Sequence, residues 1–226
     1  MRPQSTVWKN PSRRAALKAL ALVASTLPTS ALAALKTLLP AGKQQQDFIT
    51  HNPLPLALET SRQAFGQGPI TAIAQFFVRN NLPMPETAIV ADRDRWSIQI
   101  KGCQTSGELT LADLKTFETT TVASVLQCSG NGRAFFSHSP SGSPWGVGAA
   151  GCALWTGVKV SEVLSHFEGA EPLARFLTAT GAESLPAGID VASVGVERSV
   201  PLEKGVRDAL LVWEMNGEPL PLVHGG

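Results

Sequence analysis

Residues 119–133, TTTVASVLQCSGNGR, decide how the rest of the chain is read. The first half is dense in β-branched side chains, Thr119, Thr120, Thr121, Val122 and Val125, which suit a pleated, half-buried surface, so it reads as a buried strand. The strand ends on a thiol. Directly after Cys128 come Ser129, Gly130, Asn131, Gly132 and Arg133, turn-forming residues that let the backbone bend and approach a ligand closely. A lone cysteine in a strand is usually a small buried hydrophobe. Two features point elsewhere: Arg133 places a cation where it favours a thiolate, and the glycine-rich turn suits a close approach to the sulfur.

LQCSGNGR, residues 126–133, resembles the molybdenum-ligand segment of the sulfite oxidase family of molybdopterin oxidoreductases. Three further blocks are similar to the family's, in the family's order: FFVRNNLPMP (76–85), SPWGVGAAGCALWTGVKVSEVL (143–164) and EMNGEPLPLVHGG (214–226). The resemblance covers most of the chain from about residue 52 onward and implies an α+β, mixed and β-rich molybdopterin-binding domain of sulfite-oxidase type. It makes Cys128 the only protein ligand to molybdenum, with the pterin dithiolene and oxo groups completing the shell. Thiolate suits a polarisable metal better than carboxylate or imidazole would.

The same resemblance assigns the other site residues. Arg79 and Arg133 would hold the substrate anion, which the planar donor fork of a guanidinium suits better than lysine. Trp145 would line the substrate pocket. Phe77, Val78, Arg79, Asn80, Asn81, Asp190 and His224 would contact the cofactor, Asp190 through its spacing from Pro201 and His224 through the pterin phosphate. Two positions depart from the family. Asn81 stands where the family has histidine, and a neutral amide can hydrogen-bond the pterin but cannot titrate near pH 7. Ser141 stands where vertebrate members carry lysine, which removes one positive charge near the oxyanion site.

Size and charge narrow the classes further. The 226 residues can bury a sizeable core, and a net charge of +1 gives no sign of a nucleic-acid partner. Cys103, Cys128 and Cys152, an odd number without CxxC spacing, argue against a disulfide framework and a structural zinc site. The absence of CxxCH argues against haem on this chain. Tyrosine is absent, whereas the family's active-site tyrosine lies later than Gly226. The expectation is a truncated sequence that lacks the rest of the cofactor domain and the C-terminal immunoglobulin-like dimerisation domain.

The N-terminus reads as an address. Ser12-Arg13-Arg14-Ala15-Ala16-Leu17-Lys18 resembles the twin-arginine export motif, with alanine in place of the usual phenylalanine. An apolar run and Ala31-Leu32-Ala33, a small-residue cleavage pattern, follow. That run is too short for a stable membrane span, which takes about 20 apolar residues. The division is then a twin-arginine signal peptide (1–33), a polar extension (34–51) and the oxidoreductase domain (52–226). The resemblance implies export of a folded, cofactor-loaded protein to the periplasm by the twin-arginine machinery.

Other segments carry structural signals. Pro53, Pro55, Gly66, Gly68 and Pro69 mark a loop-rich start, and Arg79 falls at an element's end. WSIQI (96–100) alternates like a half-buried strand, and Thr110 with Asp113 forms a capping-box start to a short helix. Cys103 reads as a core or loop thiol. Closely spaced glycines at 146, 148, 151 and 157 exclude a stable helix there. Val160, Val163, Leu164 and Phe167 share one helical face. RFLTA (175–179) reads as a strand, and Asn216-Gly217 as a hairpin turn after a strand at 210–215.

The function implied is a periplasmic sulfite dehydrogenase that oxidises sulfite to sulfate at molybdenum and passes two electrons singly to a separate c-type cytochrome. The metal supplies the redox chemistry and the protein supplies position and charge. One alternative is a sulfoxide reductase of the same cofactor class, disfavoured because sulfoxides are neutral and Arg79 suits an anion. Another is a truncated, non-catalytic remnant that binds pterin or a partner.

Overall fold

The computed structural model describes residues 39–181 and 197–225. The twin-arginine segment and Asp190 lie outside the described residues, as does Gly226. No helix among the described residues is long and apolar enough to cross a membrane.

The first sheet is antiparallel, built from β1 (Phe48–Pro53), β2 (Leu56–Thr60) and β3 (Val78–Arg79) in the order β1-β2-β3. Phe48, Leu58 and Val78 bury together with Val223, which ties the C-terminal block to this sheet. Ahead of β1, Lys43 is buried, with Nζ donating to Ile73 O at 2.8 Å and Phe76 O at 2.7 Å. Regular structure begins ahead of residue 52, and a strand follows within the stretch whose prolines and glycines mark it as loop-rich. The strand β2 is buried along most of its length, so it lacks the polar–apolar alternation that identifies a half-buried strand. Its flanking Pro53 and Pro55 mark the turn of a hairpin.

A two-stranded pair follows, β4 (Ser97–Ile100) against β5 (Gly107–Thr110). It runs into the short helix α1 (Leu111–Leu114), whose start is the expected capping box. Thr110 Oγ1 accepts from Asp113 N at 3.1 Å and Asp113 Oδ2 accepts from Thr110 N at 2.9 Å.

The sheet that carries the thiol comprises β6 (Thr119–Gln127) and β7 (Ala150–Lys159), joined later by β10 (Leu210–Met215) and β11 (Glu218–Pro219). The order is β11-β10-β7-β6, antiparallel throughout. After β7 the chain forms α2 (Val160–His166), where Val163 and Phe167 are buried against Leu109, Leu114 and Val158 as the spacing predicts, and Val160 is buried too. A two-stranded pair, β8 (Phe176–Thr180) with β9 (Glu197–Pro201), precedes α3 (Leu202–Asp208). The β10–β11 turn has Asn216 and Gly217 at φ 56° and 80°, the left-handed pair of a type I′ hairpin. The architecture is α+β and β-rich.

One correction concerns β6 itself. It is a strand, paired residue for residue with β7 from Thr119↔Val158 to Gln127↔Ala150, yet it is largely exposed, Val125 at 62%. It lies at the sheet's edge, and its side chains are exposed on both faces. β-Branched residues report a pleated backbone and do not by themselves report cover.

Candidate active site

The ladder between β6 and β7 continues one residue past the strand, where Cys128 N donates to Ala149 O at 2.9 Å. The chain then turns sharply: Asn131 N donates to Cys128 O at 2.9 Å and Arg133 N to Gly130 O at 3.0 Å. Gly132 lies at φ 86°, a left-handed conformation that strains other residues, and its N–H reaches Gly146 O at 2.6 Å. Ala134 N donates to Trp145 O at 2.9 Å, and Asn131 Oδ1 accepts from Ala149 N at 3.0 Å. The loop after the thiol is thus fastened along its length to residues 145–149.

Cys128 is half-buried and free of any disulfide, and its Sγ accepts from Gly130 N at 3.4 Å. An amide aimed at the sulfur fixes the direction of the thiol. Cys128 packs against the cluster of Ala57, Phe76, Phe77, Trp145, Ala149 and Ala153, to which Met215 and Leu220 also belong. The four blocks singled out in the sequence therefore converge on one core.

Arg133 folds back over its own loop. Nη1 donates to Ser143 O at 2.9 Å, and the guanidinium lies so close to Gly130 and Gly142 that a Cβ at either would come within 2.6 Å and 2.5 Å of it. One nitrogen is thereby anchored, and the rest of the fork carries further N–H donors. Arg79 stands exposed at the end of β3, with Nη1 donating to Asn81 Oδ1. Its strand position is tied to the cluster, because Arg79 pairs in register with Ala57.

The remaining expected residues are placed as follows. Phe77 is buried in the Cys128 cluster and Val78 on the opposite side of β3 with Phe48 and Leu58, so both side chains are packing residues and only their backbone remains for a ligand. Trp145, expected to line a substrate pocket, is 1% exposed and meets the His51 ring edge-on at 4.8 Å. Its indole belongs to the same cluster that Cys128 packs against. Asn80 donates its N–H to Leu56 O at 3.0 Å, which secures the end of β3.

His224 lies against Phe76, with ring centroids 5.3 Å apart, and its Nε2 is buried with no hydrogen-bond partner among the described residues. Burial, and then the charge of Lys43, push its pKa down to about 4, so the ring is neutral at pH 7. Burial likewise brings Lys43 down to about 8.

Three side chains escaped the sequence reading: Glu59, His51 and Lys43. Glu59 accepts from Gly146 N at 2.8 Å and Gly148 N at 3.0 Å and meets His51 Nε2 at 2.6 Å. A charged residue inside the apolar run LALE was the available signal, because such a group buries only when partnered.

These residues fit a cofactor that brings most of its own ligands. Among the described residues no group of three or more His, Cys, Asp or Glu could hold a metal; the half-buried Cys128 thiol is a soft donor that would suit a metal bringing its other ligands with it. The unpartnered Nε2 of His224 suits an anionic oxygen as acceptor.

Comparison with known proteins gives a consistent picture. The family model "Oxidoreductase molybdopterin binding domain" matches residues 82–226. The mitochondrial sulfite oxidase of Macaca fascicularis is 33% identical over 178 residues, covering 76% of this chain and 31% of that protein. An NADPH nitrate reductase of Neurospora crassa is 28% identical over 222 residues, covering 84% of this chain and 22% of that protein. Among solved structures, the sulfane dehydrogenase SoxCD from Paracoccus pantotrophus aligns with a TM-score of 0.61 at 26% identity, over 78% of this chain and 42% of that one. The chain spans between 26% and 31% of the length of the mitochondrial sulfite oxidases of fly, macaque and human.

Proposed function

The chain belongs to the sulfite oxidase family of molybdopterin oxidoreductases, and we propose that it oxidises sulfite to sulfate at molybdenum and passes the electrons to a separate periplasmic c-type cytochrome. The observation that carries this reading is the free, half-buried Cys128 thiol, aimed by the Gly130 amide and seated where the four motif blocks meet. When bound, the cofactor supplies the two-electron oxygen-transfer chemistry. Cys128 would ligate its metal, His224 Nε2 would meet its anionic end, and Asn81 and the backbone of residues 77–80 would lie against the pterin.

The chain's own part is binding and placement. Arg133, anchored to Ser143 O, presents its remaining N–H donors to an oxyanion in a fixed direction. Arg79 supplies a second guanidinium, and Asn81 Oδ1 restricts where it can swing. A neutral Asn81 accepts from Arg79 without cancelling its charge, which keeps the anion attraction whole. The two guanidinium groups would balance the negative charge of a bound oxyanion and hold its oxygens in place.

Molybdenum quantification and a sulfite-reduced EPR spectrum on the exported protein test the assignment. Wild-type protein is expected to bind molybdenum and reduce cytochrome c with sulfite, and Cys128→Ala to do neither. Retained sulfite turnover in Cys128→Ala overturns it. A second reading, nitrate reduction, is favoured by the resemblance to the Neurospora crassa nitrate reductase. Nitrate is also an oxyanion that two guanidinium groups would hold, and reduced-dye turnover with nitrate on the same holoprotein separates the two.

A further inference from the structure

Glu59 is 4% exposed on β2, and neither metal ligation nor anion holding makes use of it. Both carboxylate oxygens are engaged. Oε2 accepts from Gly146 N at 2.8 Å and meets His51 Nε2 at 2.6 Å, and Oε1 accepts from Gly148 N at 3.0 Å. The fit is close: a Cβ on Gly146 would lie 2.6 Å from Oε1. Burial raises the carboxyl's pKa, yet the amides of Gly146 and Gly148, and then His51, outweigh it and hold the group below its ordinary range.

The gripped segment faces two ways. The amides of Gly146 and Gly148 point to Glu59, while two of its carbonyls hold the thiol loop: Gly146 O accepts from Gly132 N and Ala149 O from Cys128 N. Thr60 N adds a backbone bond to Gly148 O at 3.2 Å. A carboxylate thus does for this glycine-rich segment what a neighbouring strand would do for a regular one, and the carbonyls of Gly146 and Ala149 remain for the loop beyond.

We propose that Glu59, braced by His51, is the positioning residue for the Cys128 sulfur: it pins residues 146–149, and the loop that aims the thiol hangs from that segment. The inference rests on the reading of Cys128 as the metal ligand. Glu59→Gln is the direct perturbation, because an amide accepts at one oxygen and turns an NH2 donor against the second glycine N–H.

The test is run on the full chain produced without cofactor, by following alkylation with iodoacetamide at each cysteine separately through peptide mass mapping. Cys152, half-buried on β7, is the internal reference. Glu59→Gln is expected to speed alkylation of Cys128 about tenfold relative to Cys152, the scale of one lost hydrogen bond to a charged group. Molybdenum per folded chain, measured on protein made with cofactor, should fall in parallel. Proportional change at both cysteines, or no change at Cys128, overturns the proposal, because a purely structural carboxylate loosens both thiols alike.

Should Glu59→Gln fail to yield folded protein, Glu59→Asp carries the same ratio, since it keeps the charge but draws the carboxylate back from both glycine amides. A rise confined to Cys128 supports the proposal, and any other result overturns it. Wild-type chain that takes up no molybdenum sinks the metal assignment instead, while the cofactor-free alkylation ratio still decides the role of Glu59.

Discussion

Replacing Gly148 with alanine puts a methyl carbon 1.9 Å from Thr60 O and 2.8 Å from Glu59 Cγ. The nearer atom is backbone inside a buried strand, so no side chain can rotate away. Restoring ordinary contact needs a shift of roughly 1.5 Å, given a normal Cβ contact near 3.4 Å. A shift of that size breaks Gly148 N to Glu59 Oε1 and Thr60 N to Gly148 O. Overpacking costs about 1–3 kcal/mol and a lost hydrogen bond to a buried carboxylate about 1.5–3 kcal/mol, so a destabilisation of roughly 3–5 kcal/mol is expected. Gly157→Ala is the matched comparison, with its Cβ 2.0 Å from Leu211 O, in the β7–β10 pairing. Chemical denaturation should show similar losses for both variants. Molybdenum per folded chain, measured below the unfolding transition, should fall only in Gly148→Ala. Wild-type stability in Gly148→Ala, or equal metal loss in the two, refutes the reasoning.

Gly130→Ala should displace the Arg133 guanidinium, which a Cβ there would approach to 2.6 Å. Steady-state kinetics on the holoprotein are expected to show KM for the oxyanion raised about tenfold or more, with cofactor content unchanged. His224 is neutral in the fold, with its pKa down to about 4, whereas the unfolded chain takes up a proton below about 6.5. Its share of stability is therefore full above pH 6.5 and declines as pH falls towards 4, by up to about 3 kcal/mol. Denaturation midpoints across that window should slope in wild type and flatten in His224→Asn. The carboxyl of Glu59, held low by its amide donors, adds stability above its ordinary range that is lost only at more acidic pH. Thr110→Ala removes the capping box of α1 and should cost about 1 kcal/mol without changing molybdenum content.

Local signals were legible where short-range chemistry settles the outcome. The Asn216-Gly217 turn, the Thr110–Asp113 box and the face shared by Val160, Val163 and Phe167 each depend on residues close in sequence, and each is found in place. Burial was less legible, because it depends on what lies opposite. β6 has the composition of an interior strand and sits at an edge, while β2 looks like loop and is buried. Within the site, Cys128 and its glycine turn could be read directly, since the turn chemistry is written in adjacent residues. Glu59 could not, because its partners Gly146 and Gly148 are 87 and 89 residues away. Trp145 and Phe77 carry ligand roles by their motifs, and both side chains are buried in the cluster that Cys128 packs against.

The core behind Cys128 draws members from Ala57 at one end to Leu220 at the other. Contacts of such long sequence separation close large loops before they return any energy, so this cluster raises the contact order of the whole domain. A nascent chain still missing its last strands has no finished wall behind the thiol, whatever its earlier hairpins have formed. Assembly of the site should therefore coincide with completion of the fold, and a pulse-labelled refolding experiment should see Cys128 acquire its protection in the slowest phase.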